Sequence, residues 1–292
     1  MAFTAQDVKT LREKTGCGMM DCKKALVETD GDMDKAVDYL REKGMATAAK
    51  KAGRIASEGV CYAEFKGNTA VLVEVNCESD FVSKGDMFAE FAKEVAAYVY
   101  DNDVKDVEEV IAAMADKTTE AIQKIGENIK IRRFDKYVSD QMLDSYIHMG
   151  GKIGVIVECS NGASAETIHD VALQIAAYKP LYVNPEDVPE DVLEKEKEIM
   201  VAQIKNDPKQ ANKPQNIIDM MVAGKVKKYY EENCLMKQAF VKDPSTTIEK
   251  LLAAQGSKVL RFTRFEMGEG LQKKSENLAD EVAAQVEKMK NN

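Results

Sequence analysis

The chain has 292 residues, 45% of them apolar and 31% charged, which fits a soluble globular protein of two or three domains. No apolar run approaches the roughly 18 residues that a helical membrane span needs, and the opening MAFTAQDVKTLREKTG lacks a basic region followed by an apolar stretch, so the cytoplasm is expected rather than export. A net charge of −9 gives no general electrostatic case for nucleic acid, and six cysteines without a CxxC pair or zinc-like spacing read as reduced, structural thiols.

Residues 4–14 predict a short amphipathic helix, with Thr4 able to cap it and Val8, Leu11 and the stem of Arg12 near one face. Thr15-Gly16-Cys17-Gly18 breaks it, because two glycines around one residue disfavour helix and permit a tight turn. A second helix is expected over Met19–Glu28 and a third over 33–43, ending at Gly44. Such a bundle is near the lower limit of what a private core can stabilise. Met19 and Met20 are either part of that thin core or exposed beside the turn, where Arg12 and Lys23 would be rim charges of a protein-binding spot. Residues 46–54 read as a tether.

From Gly59 the hydrophobic period changes to two. Strands are expected over 60–65 and 69–75 around a Lys66-Gly67-Asn68 turn. The polar connection NCESDFVSKGD (76–86) carries Phe81 into a helix over 87–100, helical register continues over 106–124, and IKIRRF (129–134) predicts a third strand. Ile125 beside Gly126 is either a contact point or a hydrophobic cap of the preceding helix.

Part of this unit occurs twice. AVLVEV (70–75) returns as GVIVEC (154–159), and AKEVAAY (92–98) returns as ALQIAAY (172–178). The first copy carries about four extra residues between its strand and its helix, in the connection that holds Phe81. A connection that grows in one copy only is dispensable for a shared fold, and loops on rigid scaffolds often carry binding groups. Phe81 is either a plug for its own core or a protruding probe beside Asp80; the lopsided repeat favours the probe.

The second unit predicts a strand over 152–159, a turn at 161–163 and a helix over 165–177. His148 precedes a glycine pair and is the better candidate of the two histidines for a partner hydrogen bond; His169 reads as helix surface. All six prolines fall between 180 and 244, marking a change of architecture. Charged helical stretches at 191–206 and 216–230, joined by a polar turn, predict an antiparallel hairpin that serves as a spacer or as a platform for self-association. QAFVKDP (238–244) reads as a turn with Phe240 and Val241 as candidates for exposure. A helix over 247–255, a strand over 258–266 that returns to the second sheet, and a last helix over 275–290 follow. The expected fold is therefore α+β. It comprises an N-terminal helical bundle (1–54), two related core units with antiparallel sheets (55–140, and 141–184 with 231–266), an inserted helical hairpin (185–230) and a C-terminal helical module (267–292).

The sequence contains no GxxxxGK[ST], GxGxxG, nucleophile elbow or HExxH, and His148 and His169 have no partners at metal or acid–base spacing, so neither an enzyme nor a cofactor is expected. The remaining candidates are small, loop-borne interfaces spread over several modules, as in a protein that grips another protein at many points. An enzyme with a cleft between the two core units and His148 as base, or a structural or RNA-associated accessory protein, are the alternatives.

Six stretches, LREKTGCGMMDCKKAL (11–26), VNCESDFV (75–82), KIGENIKIRR (124–133), YIHMGGKIGV (146–155), IAAYKPLYV (175–183) and RFTRFEMGEG (261–270), together resemble the bacterial elongation factor Ts family, in the family's order and from end to end. The resemblance implies a UBA-like N-terminal bundle, a coiled-coil hairpin that can dimerise, and guanine-nucleotide exchange on elongation factor Tu without direct nucleic-acid binding. The family's Thr-Asp-Phe-Val motif falls on Ser79-Asp80-Phe81-Val82, and in the family this Asp-Phe pair enters the GTPase domain and disturbs its magnesium site. Arg12, Met19, Met20 and Lys23 match N-terminal contacts with the GTPase. Ile125 and Gly126 match contacts near the magnesium side, His148 a contact near the phosphate loop, and Val241 a contact with another domain of the partner. The C-terminal helix resembles a module that also packs on the GTPase domain. Three departures stand out: Ser79 for the usual Thr, Lys242 where an apolar residue is often found, and a longer hairpin turn over 205–216.

Overall fold

The computed structural model describes residues 3–210 and 213–272, so the expected helix over 275–290 lies outside the described residues. α1 (Ala5–Thr15) opens on a reciprocal capping box between Thr4 and Asp7 and closes on Gly16, whose left-handed backbone (φ 68°) lets its N–H reach Arg12 O at 2.7 Å. With α2 (Met19–Glu28) and α3 (Met33–Lys51) it encloses a small core of Leu11, Cys22, Leu26 and Leu40. α3 does not stop at Gly44 as expected. The glycine provides room: a Cβ there would lie 2.6 Å from the Gln123 side chain. The cost of glycine inside a helix, about 1 kcal/mol, is set against a close helix-to-helix approach.

β1 (Glu58–Lys66) and β2 (Thr69–Cys77) form the expected hairpin, with Gly67 supplying the left-handed turn position (φ 59°). A single helical turn, α4 (Asp80–Ser83), then precedes α5 (Asp86–Asp101). The helical stretch expected over 106–124 is divided at Met114 into α6 (Val107–Ala113) and α7 (Ala115–Ile125). β3 (Lys130–Val138) completes an antiparallel sheet of order β1-β2-β3. The second unit starts earlier than the expected strand, with β4 (Met142–His148) pairing with β5 (Ile153–Cys159). α8 (Ala165–Tyr178) follows, then the helical pair α9 (Glu190–Asn206) and α10 (Gln215–Asn233). The 238–244 segment is a small paired element rather than a plain turn, β6 (Ala239–Phe240) with β7 (Asp243–Thr247), and Phe240 is buried. After α11 (Ile248–Ala253), β8 (Val259–Glu266) returns beside β5 in an antiparallel sheet of order β4-β5-β8.

The two sheets pack face to face, and each carries helices on its outer side. Val71, Val73 and Val75 of β2 face α5, whereas Ala70 and Leu72, one step out of phase, face the other sheet. In β5, Val155 and Val157 face α8 while Ile156 faces back. The repeat seen in sequence extends to details. Each central strand carries a bulge directly after a buried glutamate, Glu74 or Glu158, and each glutamate sits opposite an arginine of the third strand, Arg133 or Arg261. Four residues beyond each arginine is an aromatic, and the stacking is reciprocal: Arg133 lies 4.2 Å from the Phe265 ring centre and Arg261 lies 4.0 Å from that of Tyr137.

Candidate functional site

Phe81 is 84% exposed, so it does not plug its own core. The cause is helical phase: successive residues of a helix rotate by about 100°, and α4 turns Val82 toward the first core and buries Ser83, which leaves Asp80 and Phe81 aimed outward. Asp80 does not stand free. Lys84 donates to its carboxylate at 2.7 Å, and that hydrogen bond and charge, with a smaller contribution from Lys152, hold Asp80 below the usual carboxylate range.

One turn of helix has little stability of its own, and α4 is held from below by two carboxylates. Glu127, just past the end of α7, accepts from the backbone N–H of Glu78 (2.9 Å) and of Ser79 (3.0 Å) and from the Ser79 hydroxyl (2.5 Å). Glu78 reaches back to accept from the N–H of Asn128 at 2.7 Å and faces Arg54 at 3.4 Å. The buried Asn128 side chain in turn donates to Arg54 O at 2.8 Å and Ala52 O at 3.4 Å, at the end of the tether. Ser79, where the family usually has Thr, also accepts from Val82 N at 3.4 Å.

These ties bring several expected site residues onto one face. Ile125 packs partly on the first core and also lines the hollow beside Phe81 with the exposed Met87. Gly126 ends α7 in a left-handed conformation (φ 88°), and its carbonyl accepts from Lys51. The Thr15–Gly16 turn abuts the same helix end, since a Cβ on Gly16 would collide with the Lys124 side chain. Beyond that turn Met19 (53%) and Met20 (74%) are exposed, as are Arg12 and Lys23, so the two methionines are surface and not core.

His148 ends β4, half-buried, with Nδ1 2.9 Å from the Tyr146 hydroxyl and, among the described residues, no carboxylate partner. The turn after it leads to Lys152, which pairs with Glu58 at 2.9 Å. His169 sits on the surface of α8 against Asp144 at 2.8 Å. Val241 lies apart from these groups, on the β6–β7 turn against α8, where its N–H donates to the buried Gln174 at 2.9 Å. Its neighbour Lys242 is paired with Asp170 at 2.6 Å. All six cysteines are buried and free, and burial pushes the thiols of Cys61, Cys77 and Cys159 up to about 12, which suits inert packing groups. Among the described residues no cluster of three or more His, Cys, Asp or Glu is placed to hold a metal, and no helix is long and apolar enough to cross a membrane.

Glu78, Lys84 and Glu127 are the site residues that the sequence pattern did not single out. Their work is done across 48 to 50 residues of chain, except for Lys84, whose i,i+4 spacing from Asp80 was a visible signal. A family model described as elongation factor TS matches residues 78–269. It takes in Ser79–Val82, Ile125, Gly126, His148 and Val241 and begins after Arg12, Met19, Met20 and Lys23. With well over half of the sequence matched, the chain belongs to the elongation factor Ts family.

Proposed function

We propose that this protein is a cytoplasmic guanine-nucleotide exchange factor for elongation factor Tu, which promotes GDP release by inserting Asp80 and Phe81 near the partner's magnesium site and by stabilising the nucleotide-free GTPase. The observation that carries this reading is an almost fully exposed Phe81 on a helical turn clamped from below. An exposed aromatic with no role in its own fold is suited to being buried elsewhere, and a ligand opens its partner only by binding the opened state more tightly than the closed one. Burying a Phe side chain stabilises by about 2–3 kcal/mol, a bias of about 30- to 150-fold between the two states if the pocket exists only in the open one. The Phe81 wedge displaces the elements that hold the magnesium ion, loss of the ion leaves the phosphates without neutralisation, and the negative charge of Asp80 repels those phosphates. The protein makes no covalent change.

In this reading Arg12, Met19, Met20, Lys23, Ile125, Gly126, His148 and Val241 supply contacts that hold the two proteins together while the probe acts. The modular division is read in the same way: the bundle (1–54) and the first core unit (55–140) meet the GTPase domain, and the second unit (141–184 with 231–266) meets it at His148 and another domain at Val241. The hairpin (185–230), which exposes Met220 and Ile199, is a coiled-coil platform for self-association. The deciding experiment is stopped-flow release of a fluorescent GDP from elongation factor Tu. Phe81→Ala is expected to slow release by about 30-fold or more, the lower bound of the burial estimate, and Asp80→Ala by a comparable or smaller factor. An unchanged rate with Phe81→Ala rules out the wedge. A magnesium titration checks the second half of the mechanism, because a release rate indifferent to the ion points to a different trigger.

A further inference from the structure

The probe and the Ile125–Gly126 contact come from segments far apart in sequence, yet one side chain joins them. Glu127 follows Gly126 directly, and its carboxylate accepts three hydrogen bonds from the two residues that precede Asp80. We infer that Glu127 is a positioning residue for exchange: it fixes the direction in which Phe81 leaves the surface and locks that direction to Ile125–Gly126. The inference rests on the exchange reading above.

Three observations carry it. First, α4 has four residues and opens with Ser79 as its cap, but the cap bond to Val82 N is long, 3.4 Å, whereas Ser79 Oγ donates to Glu127 at 2.5 Å. The charged clamp, not the local cap, is the stronger tie. Secondly, Phe81 contributes nothing to its own orientation, being almost wholly in solvent. Its aim is therefore set by the base of the turn.

Thirdly, the repeat contains an internal reference. In the second unit the residue that occupies the corresponding place, shortly before the third strand, is Gln255. Gln255 Oε1 accepts from the backbone N–H of Ser164, the cap of α8, at 2.8 Å, and its Nε2 donates to Thr167 Oγ1 at 2.8 Å. Both units thus tie a cap serine after the central strand to the turn before the third strand. Only in the first does that serine lead directly to a probe, and only there is the tie made by a carboxylate. A glutamate serves three donors at once, and an amide can replace it while keeping a bond to each group: its oxygen accepts the backbone N–H groups and its nitrogen donates to Ser79 Oγ.

The test uses the full chain and the maximal rate of fluorescent GDP release from elongation factor Tu, together with the concentration that gives half of that rate. Glu127→Ala is expected to lower the maximal rate about tenfold through misaim of a group that must be placed to within about 1 Å, while the half-saturating concentration moves by less than about threefold. In a Phe81→Ala background Glu127→Ala should add nothing, because its effect passes through Phe81. Glu127→Gln should restore most of the rate. Gln255→Ala, which loosens a cap that carries no probe, should leave the maximal rate unchanged. Should Glu127→Ala not fold, Glu127→Asp, which keeps the charge and shortens the reach, takes its place with the same expectations. The proposal is overturned if Phe81→Ala is slow while Glu127→Ala matches the parent, if the two effects multiply independently, or if Gln255→Ala slows release equally. A parent-like rate for Phe81→Ala overturns the wedge itself, and the role of Glu127 with it.

Discussion

Glu74 and Glu158 hold the same place in the two units, but their replacement by Gln should not cost the same. Glu74 is fully buried and accepts from Arg132 Nη1 (2.8 Å), Arg133 Nε (2.6 Å), Asn76 Nδ2 (3.2 Å) and the N–H of Gly268 (2.8 Å). All four groups donate to it; the acceptor beside it that lacks a partner among the described residues is Asn76 Oδ1. Gln keeps the volume and one acceptor oxygen but brings two N–H groups to a site with that single acceptor to spare, and it leaves Arg132 without its carboxylate and Arg133 with Glu269 alone, at 3.7 Å. Breaking one side of a buried ion pair costs about 3–5 kcal/mol. Because the two arginine side chains keep 22% and 30% of their exposure and so some water, the lower end, about 3 kcal/mol, is the fitting figure. Glu158 faces one arginine, Arg261, at 2.5 Å and with a side chain 49% exposed, and it accepts from the Ser139 hydroxyl besides. Its replacement by Gln should cost about 1 kcal/mol, the value of one ordinary hydrogen bond. Urea unfolding at pH 7 measures both, read as a shift of midpoint at constant slope. Equal losses, or a loss under about 1 kcal/mol for Glu74→Gln, would refute the idea that the number and burial of the arginines set the difference.

Further consequences can be measured on the same protein. The carboxyls of Glu266 and Glu269 titrate below the ordinary value, Glu266 through Arg264 and then Lys179, and Glu269 through Lys179 first. Glu158 does so as well: burial pushes it up, but Ser139 and Arg261 together outweigh burial. A depressed folded value gives stability that is complete above the unfolded value, near 4.5, and that is lost as pH falls through the folded one. Urea midpoints should therefore fall below about pH 4.5, and less steeply in Lys179→Ala; an unchanged acid limb in that variant contradicts the assignment. Gly154→Ala should destabilise by about 1–3 kcal/mol through overpacking between the sheets, because its Cβ would lie 2.5 Å from Leu72 Cδ1 and 2.9 Å from Cys61 Cβ; a neutral result in thermal unfolding would mean that the sheets separate freely. Phe81→Ala should change stability by no more than about 0.5 kcal/mol, since the side chain is in solvent, and a larger loss by calorimetry would reveal a structural role. In sedimentation the full chain should run as a dimer and a chain lacking residues 191–230 as a monomer; a monomeric full chain removes the hairpin's proposed role.

Most elements were legible in the sequence because their burial is periodic. β1 alternates between half-buried and buried positions over its first four residues, the helix after Phe81 repeats Phe88, Phe91, Val95 and Val99 on one side, and the inequality of the two repeats marks the connection that carries the exposed Phe81. β4 was not legible. Its Asp144, Ser145, Tyr146 and His148 are half-buried on an edge strand, with only Leu143 fully inside, so it has neither a clean alternation nor an apolar run. Gly44 misled because a glycine that ends a helix and a glycine that admits a neighbouring helix look the same until the neighbour is known. Glu127 was hidden for another reason. Two of its three partners are backbone N–H groups, which every residue has, and the third is a serine 48 residues away, so no side-chain pattern announces them; the one signal is the further repeat of Arg133-Phe134 as Arg261-Phe262, which aligns Glu127 with Gln255.

That alignment bears on why a probe could arise in one unit and not in the other. The inner faces of both sheets are used up in packing on each other, through the reciprocal arginine–aromatic stacks and the Leu72–Ile156 layer, and the outer faces are covered by α5 and α8. Only the connections at the sheet ends are free to change without disturbing a core. In the second unit the backbones meet closely: at Gly162 (φ 129°) a Cβ would come within 2.7 Å of Gln255 O, so that turn lies directly on the one before β8, and the Gln255 side chain adds its bonds to Ser164 and Thr167. In the first unit the same two turns are held by the reach of side chains, Glu127 in one direction and Glu78 in the other. α4 with Phe81 stands over that pair of carboxylates. The aim of Phe81 is therefore expected to depend on them, which is why Glu127 and Phe81 are expected to act as one unit and why a longer connection alone, grafted onto the second unit above Gly162, should present no ordered Phe.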